Sequence, residues 1–263
     1  REYLYARRTA EAGPEVRNIP GWEELEEIEA GVAIPWSDNL PTLNSSVQKL
    51  CAYYPTEDSA GWGLLVHGDF LTSLNRKRIE GESPITSSVG LLALELATDF
   101  LRSIASEGRR TAAGVLDVLG QVTEPTTEFG ESFRDSLMAR LKDIELVPVR
   151  GQESLKPASS CSLVGYDENM NSPDLACALL DLLDDPSDIA DPEVLTPRAA
   201  TALRNLQASP ISDSEIAQRI TPSGTDFDRV VTVLRNWVQQ LPGEGVQVLP
   251  YLSDRPVILD RSG

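Results

Sequence analysis

The segment from Ser83 to Gly108 limits what this chain can fold into more than any other. Ser83 reads as an N-cap, Pro84 occupies the first helical position and Gly108 is a stop. Between them Ile85, Val89, Leu92, Leu96, Phe100, Leu101 and Ile104 recur at spacings of three and four. This predicts a long amphipathic helix whose apolar face must lie on another layer. Its most apolar part, Gly90 to Leu101, is broken by Glu95 and Asp99 and falls short of the roughly 20 apolar residues that cross a bilayer. No signal peptide precedes it, so no membrane role is expected.

The residues ahead of the helix supply that layer. Residues 2–8 read as a short strand, followed by a polar stretch with an acidic run from Glu23 to Glu29. Three β-like runs follow, Ile28 to Trp36, Val47 to Tyr54 and Trp62 to Phe70, with Asn39, Pro41, Asn44, Pro55, Asp58 and Gly61 between them as turn residues. The expected fold class is mixed α/β (α+β): a mostly antiparallel sheet with packed helices, then a second, smaller α/β unit. The Gln121–Glu128 segment divides the chain into an expected first domain, 1–125, and second domain, 126–263.

In the second half a helix from Glu131 to Lys142 leads into a strand, Ile144 to Val149, a turn at Gly151 and a further strand near Ser160 to Val164. A helix over Val230–Val238 and strands over Val246–Leu252 and Val257–Leu259 repeat the pattern weakly, with Pro148 and Pro250 as matching edge-strand prolines. Between the copies lie short helices at Pro173–Leu183, Pro197–Leu206 and Ser212–Ile220, and the acidic stretch Asp181–Asp191 reads as a solvated linker.

Charge and reactive residues narrow the function classes. The chain has 263 residues and a formal net charge of −18, which repels phosphate backbones, and no basic–aromatic stretch offsets it. Nucleic-acid binding is therefore not expected. With one histidine and three cysteines outside any C-x-x-C spacing, neither a structural zinc nor a disulfide framework is expected, and the thiols suit a reducing cytoplasm. Arg1 stands where a methionine would begin a chain, and the strand-like Tyr3-Leu4-Tyr5 follows at once, so we expect a piece of a longer protein.

Against this acidic background, one loop is anomalous. The strand through Val66-His67-Gly68-Asp69 ends in a polar loop, Thr72 to Ile79, carrying Arg76, Lys77 and Arg78 in succession. Strand-end loops are where a rigid scaffold presents functional side chains, and an arginine there can grip a phosphate with two bonds. The plainer alternative is that the three cations pair with nearby acids such as Glu80 and Glu82. His67-Gly68-Asp69 also has the look of a phosphotransferase catalytic loop, but Asn75 falls one place late, Leu74 occupies the metal-ligand position, and no glycine-rich phosphate loop precedes it. A thiol hydrolase would need Cys51 beside His67, whereas a cysteine among Val47, Leu50 and Ala52 suits burial. No carboxylate pair stands out among so many acids, and Walker, Asp-x-Gly-x-Gly and Gly-x-Gly-x-x-Gly motifs are absent.

Three stretches together resemble a family. They are Ala33-Ile34-Pro35-Trp36, then Tyr53-Tyr54-Pro55-Thr56-Glu57, then Leu65 to Ile79 with its His-Gly-x-Phe and Ser73-x-x-Arg76 spacing. Their order resembles the region that follows the nucleotide-binding domain in sacsin-like proteins, GHKL-type ATPases related to the ninety-kilodalton heat-shock chaperone. Leu146-Val147-Pro148, Gly151 and Pro157 resemble a strand pair of the same proteins. The resemblance implies a transducer, or middle, segment of a chaperone-type ATPase that completes an ATP and magnesium site lying in an upstream domain of the same polypeptide. It implies Arg76 as the γ-phosphate contact, with Lys77 and Arg78 as fallbacks, and no cofactor held by this segment alone. Protein clients would be further partners. The competing class is a non-enzymatic protein-interaction scaffold; a free-standing small-molecule phosphotransferase is the remaining alternative.

Overall fold

A computed structural model describes residues 2–43, 49–59, 61–122, 125, 127–164, 173–221 and 227–240. It is a mixed α/β structure, as its sequence pattern predicts. The chain opens with β1 (Glu2–Glu11), a four-residue helix α1 (Pro14–Arg17) and β2 (Glu27–Ser37). β1 and β2 pair antiparallel from Glu2↔Trp36 to Glu11↔Glu27. Period-two alternation in β1 sends Leu4, Ala6 and Ala10 to the core and leaves Tyr3 and Tyr5 on the open face. Next come β3 (Leu40–Pro41), β4 (Leu50–Ala52), β5 (Tyr54–Pro55) and β6 (Leu65–Gly68). The sheet order is β1-β2-β6-β4-β5, with β3 beside β2; only the β4–β6 pair is parallel.

The expected long helix is α2 (Pro84–Ala105), and it lies across the inner face of the sheet. Ile85, Val89, Leu92, Ala93, Leu96, Leu101 and Ile104 are buried there, against Val32, Ile34 and Val66 in the same hydrophobic cluster. Helix and sheet approach so closely that a Cβ on Gly68 would stand 2.5 Å from Val89 Cγ1. Among the described residues α2 is the one helix long and apolar enough to cross a bilayer, yet 61% of its most apolar window is buried inside the fold.

α2 ends at Ala105 with Ser106 as its C-cap, and Gly108, at φ 153°, then turns the chain sharply as the N-cap of α3 (Arg109–Leu119), a helix with no counterpart among the sequence expectations. Then follow α4 (Glu128–Leu141), β7 (Glu145–Pro148), β8 (Leu155–Pro157), β9 (Ser162–Leu163), α5 (Pro173–Leu180), α6 (Pro197–Asn205), β10 (Ser209–Pro210), α7 (Asp213–Arg219) and α8 (Phe227–Gln240). α4 starts three residues earlier than expected because Thr127 caps it, its Oγ1 accepting from the Gly130 N–H at 3.2 Å. The hairpin partner of β7 is β8; the run expected near Ser160–Val164 is β9, which pairs in parallel with β10 instead. The expected strands at 246–252 and 257–259 lie outside the described residues.

The larger hydrophobic cluster runs from Ala12 to Ala208 and draws residues from both sides of the 121–128 segment; a smaller one gathers α5, α7 and α8 around Leu179, Ile216 and Trp237. The acidic stretch 181–191 is not a solvated linker. Leu182, Ile189, Ala190 and Asp191 are buried. Asp181 bonds to Arg150 and Arg229, Asp188 to Arg219, and Asp191 to Arg109 and Arg150. The arginines that neutralise the run are scattered along the sequence, so its acidity alone does not reveal its packing.

Candidate functional site

The basic loop is a hairpin held from below. After β6 the chain turns through Asp69, whose Oδ2 accepts from the Glu29 N–H at 2.7 Å while its own N–H bonds to Glu29 O at 3.1 Å. The Asp69 carboxylate thus stitches the end of β6 to β2. Thr72 and Ile79 then form an antiparallel bridge, the Ser73 N–H bonds to Arg78 O at 2.9 Å, and the Arg76 N–H bonds to Ser73 O at 2.7 Å. Asn75 braces the tip from within, its Oδ1 accepting from Ser73 Oγ at 2.8 Å and the Lys77 N–H at 3.0 Å. Asp69, which with His67 and Gly68 suggested a phosphotransferase, and Asn75, which falls one place late for its metal ligand, are both occupied with the backbone.

The three cations fare differently. Lys77 Nζ lies 2.8 Å from Glu57 Oε1 and holds that carboxyl below the usual carboxylate range. Both side chains are largely exposed, so the pair contributes little stability. Arg76 and Arg78 are exposed and have no ion-pair partner among the described residues, so the alternative of pairing with nearby acids holds for Lys77, through Glu57, and not for the two arginines. Arg76 moreover adopts φ 58°. Outside glycine, asparagine and aspartate that conformation is uncommon and costs of order 1–2 kcal/mol, so the tip stores backbone strain at the residue that carries the free guanidinium.

Exposed apolar side chains lie on the hairpin tip and on the segment that leads into Glu57, the partner of Lys77. Leu74 is fully exposed at the tip, and Tyr53 and Tyr54 on the neighbouring turn are 81% and 66% exposed. Tyr53 meets the His67 ring edge-on at 6.4 Å. Cys51 is the register partner of His67, as a thiol hydrolase would require. Burial, however, pushes the Cys51 thiol above its ordinary value, away from the thiolate that such chemistry needs.

One residue at this site has no signal in the loop sequence itself. Asp58 is 1% exposed, and its Oδ2 accepts from the Ile79 N–H at 2.5 Å. Burial raises its carboxyl above the usual range, although the Ile79 bond and the Arg78 and Lys49 charges pull it the other way. Its partner is a backbone amide 21 positions away, which no side-chain pattern marks. A tyrosine-rich turn ahead of a basic loop is the hint that sequence could offer.

The hairpin can therefore present a charged fork to an anion brought by another surface. Among the described residues no group of three or more His, Cys, Asp and Glu is placed to hold a metal ion. No protein-family model matches the chain, and neither a curated protein nor a solved structure matches it.

Proposed function

We propose that this chain is a transducer segment of a chaperone-type ATPase, presenting Arg76 to the γ-phosphate of ATP held by an upstream domain of the same polypeptide. The observation that carries the reading is the Arg76 guanidinium: without an ion-pair partner among the described residues in a chain of net charge −18, and raised on a braced hairpin in a strained backbone conformation. An arginine offers a fixed fork of donors and keeps its charge, which suits stabilising the charge that develops on a transferring phosphoryl group. Lys77 and Arg78 add positive potential, Lys77 partly neutralised by Glu57. ATP and its magnesium supply the electrophilic phosphorus when bound; this chain supplies the cation and, through the sheet and α2, a rigid base that moves it. Leu74, Tyr53 and Tyr54 give the hairpin an apolar rim for docking on that domain. Free thiols suit a cytoplasmic setting.

The test is ATP turnover by the polypeptide carrying both domains, wild type against Arg76→Ala. Turnover should fall by roughly 10²-fold or more, with unchanged melting. Equal rates, or no hydrolysis by either protein, would turn the reading to a non-enzymatic scaffold. The same exposed Leu74 and tyrosines favour that second reading, as the anchors of a protein partner.

A further inference from the structure

The hairpin returns from its tip through Arg78 and Ile79, and Ile79 is buried in the main core. Its backbone N–H is therefore cut off from water and needs an acceptor. The acceptor is not a neighbouring strand but Asp58 Oδ2, at 2.5 Å. Asp58 is itself fixed. Its N–H bonds to Thr56 Oγ1 at 3.1 Å, Thr56 Oγ1 donates to Leu50 O at 2.7 Å, and the Leu50 N–H returns to Asp58 O at 3.0 Å. The carboxylate thus stands on a small lattice anchored in β4. One residue earlier, the Glu57 N–H bonds to Lys77 O at 2.7 Å, so the 56–58 turn grips the hairpin at two successive points.

Among the described residues Asp58 Oδ1 is buried without a hydrogen-bond partner. A half-satisfied buried carboxyl is an unfavourable way to fill space. What it provides is a rigid acceptor where the returning arm of the hairpin enters the core. Arg76 lies three residues beyond that point; its own turn is braced within the loop, and Lys77 next to it is tied to Glu57 by the Glu57 N–H to Lys77 O bond and the exposed Lys77–Glu57 ion pair, both on the same 56–58 turn. Without the Asp58 bond the tip would keep its internal shape but hang on the 56–58 turn through Glu57 and Lys77 alone, with its aim loosened.

We propose that Asp58 is the positioning residue of the Arg76 hairpin, fixing the returning strand to β4 so that the guanidinium is held out in one orientation. This rests on the functional reading above for what Arg76 meets, but the positioning is measurable without nucleotide.

Amide hydrogen exchange on the full chain tests it. In the wild type, the Ile79 amide should exchange far more slowly than those of Leu74 and Arg76; equal rates at all three would overturn the proposal without any variant. In Asp58→Ala, exchange across 73–79 should accelerate by roughly tenfold or more, while the α2 amides keep their protection. Asp58→Asn, which keeps an oxygen acceptor, should restore it. Unchanged exchange across 73–79 in Asp58→Ala would sink the proposal. In the ATP-binding polypeptide, Asp58→Ala should lower turnover at unchanged nucleotide affinity, with Asp58→Asn recovering most of it. If Arg76→Ala leaves turnover untouched, the functional reading fails, and the exchange result alone decides Asp58.

Discussion

Arg109 and Asp191, 82 positions apart in sequence, form a half-buried ion pair that closes the 181–193 segment over the β7–β8 hairpin. Arg109 also donates to Val149 O at 2.8 Å and to Gln152 O, while Arg150 reaches Asp191 at 3.3 Å and Glu193 at 2.6 Å. One carboxylate, 5% exposed, thus serves two guanidiniums. Asp191→Ala leaves both without their shared partner and should cost about 3–5 kcal/mol. Arg229→Ala, which breaks only the exposed pair with Asp181, should cost under about 1 kcal/mol. Denaturant unfolding of the two variants checks the contrast; similar losses would mean that the network is not centred on Asp191.

The same pair explains why α3 is hard to read from sequence. Arg109 and Arg110 fill its first turn, where the helix dipole favours acids, so the usual start signal is reversed. Arg109 stands there because Asp191 needs it. The preceding Gly108, read from sequence as a stop for α2, is in fact the N-cap of α3, while α2 ends at Ala105 with Ser106 as its C-cap. α2 itself, β2 and the basic hairpin were legible, because apolar spacing or an anomalous charge cluster marks each. β8 was not, since Leu155-Lys156-Pro157 is too short to alternate. Neither was Asp58, because it serves a distant backbone amide rather than a side chain.

Packing between α3 and α6 gives a second stability prediction. Gly120 has φ −79°, which any residue tolerates, but a Cβ there would stand 2.0 Å from Arg198 O. Gly120→Ala therefore fails by collision with backbone, costing about 1–3 kcal/mol as the helices separate. Gly151 is the opposite case, with φ +72° and nothing within 4 Å. Gly151→Ala should cost about 1 kcal/mol through strain alone. Thermal unfolding checks the contrast; a loss at Gly120→Ala no larger than at Gly151→Ala would show that α6 shifts to accept the added methyl.

The thiols make the last prediction. Burial pushes Cys161 from about 9 up to about 11, with the Ser160 hydrogen bond and Lys156 opposing weakly. A raised thiol value in the folded state means that folding favours the neutral form. The contribution to stability is then complete below pH 9 and lost as pH climbs from 9 towards 11, amounting to at most about 2–3 kcal/mol. Other groups titrate in that window, so the expected signal is a difference: Cys161→Ala should lower stability at pH 8 yet flatten its decline between pH 9 and 11. Reactivity should follow access. At pH 8, iodoacetamide should label half-buried Cys177 first and leave Cys51 and Cys161, both buried, until the chain unfolds. Native labelling of Cys161 as fast as Cys177 would show that the hydrophobic cluster around it opens more readily than its packing against Leu163 and Ala208 implies.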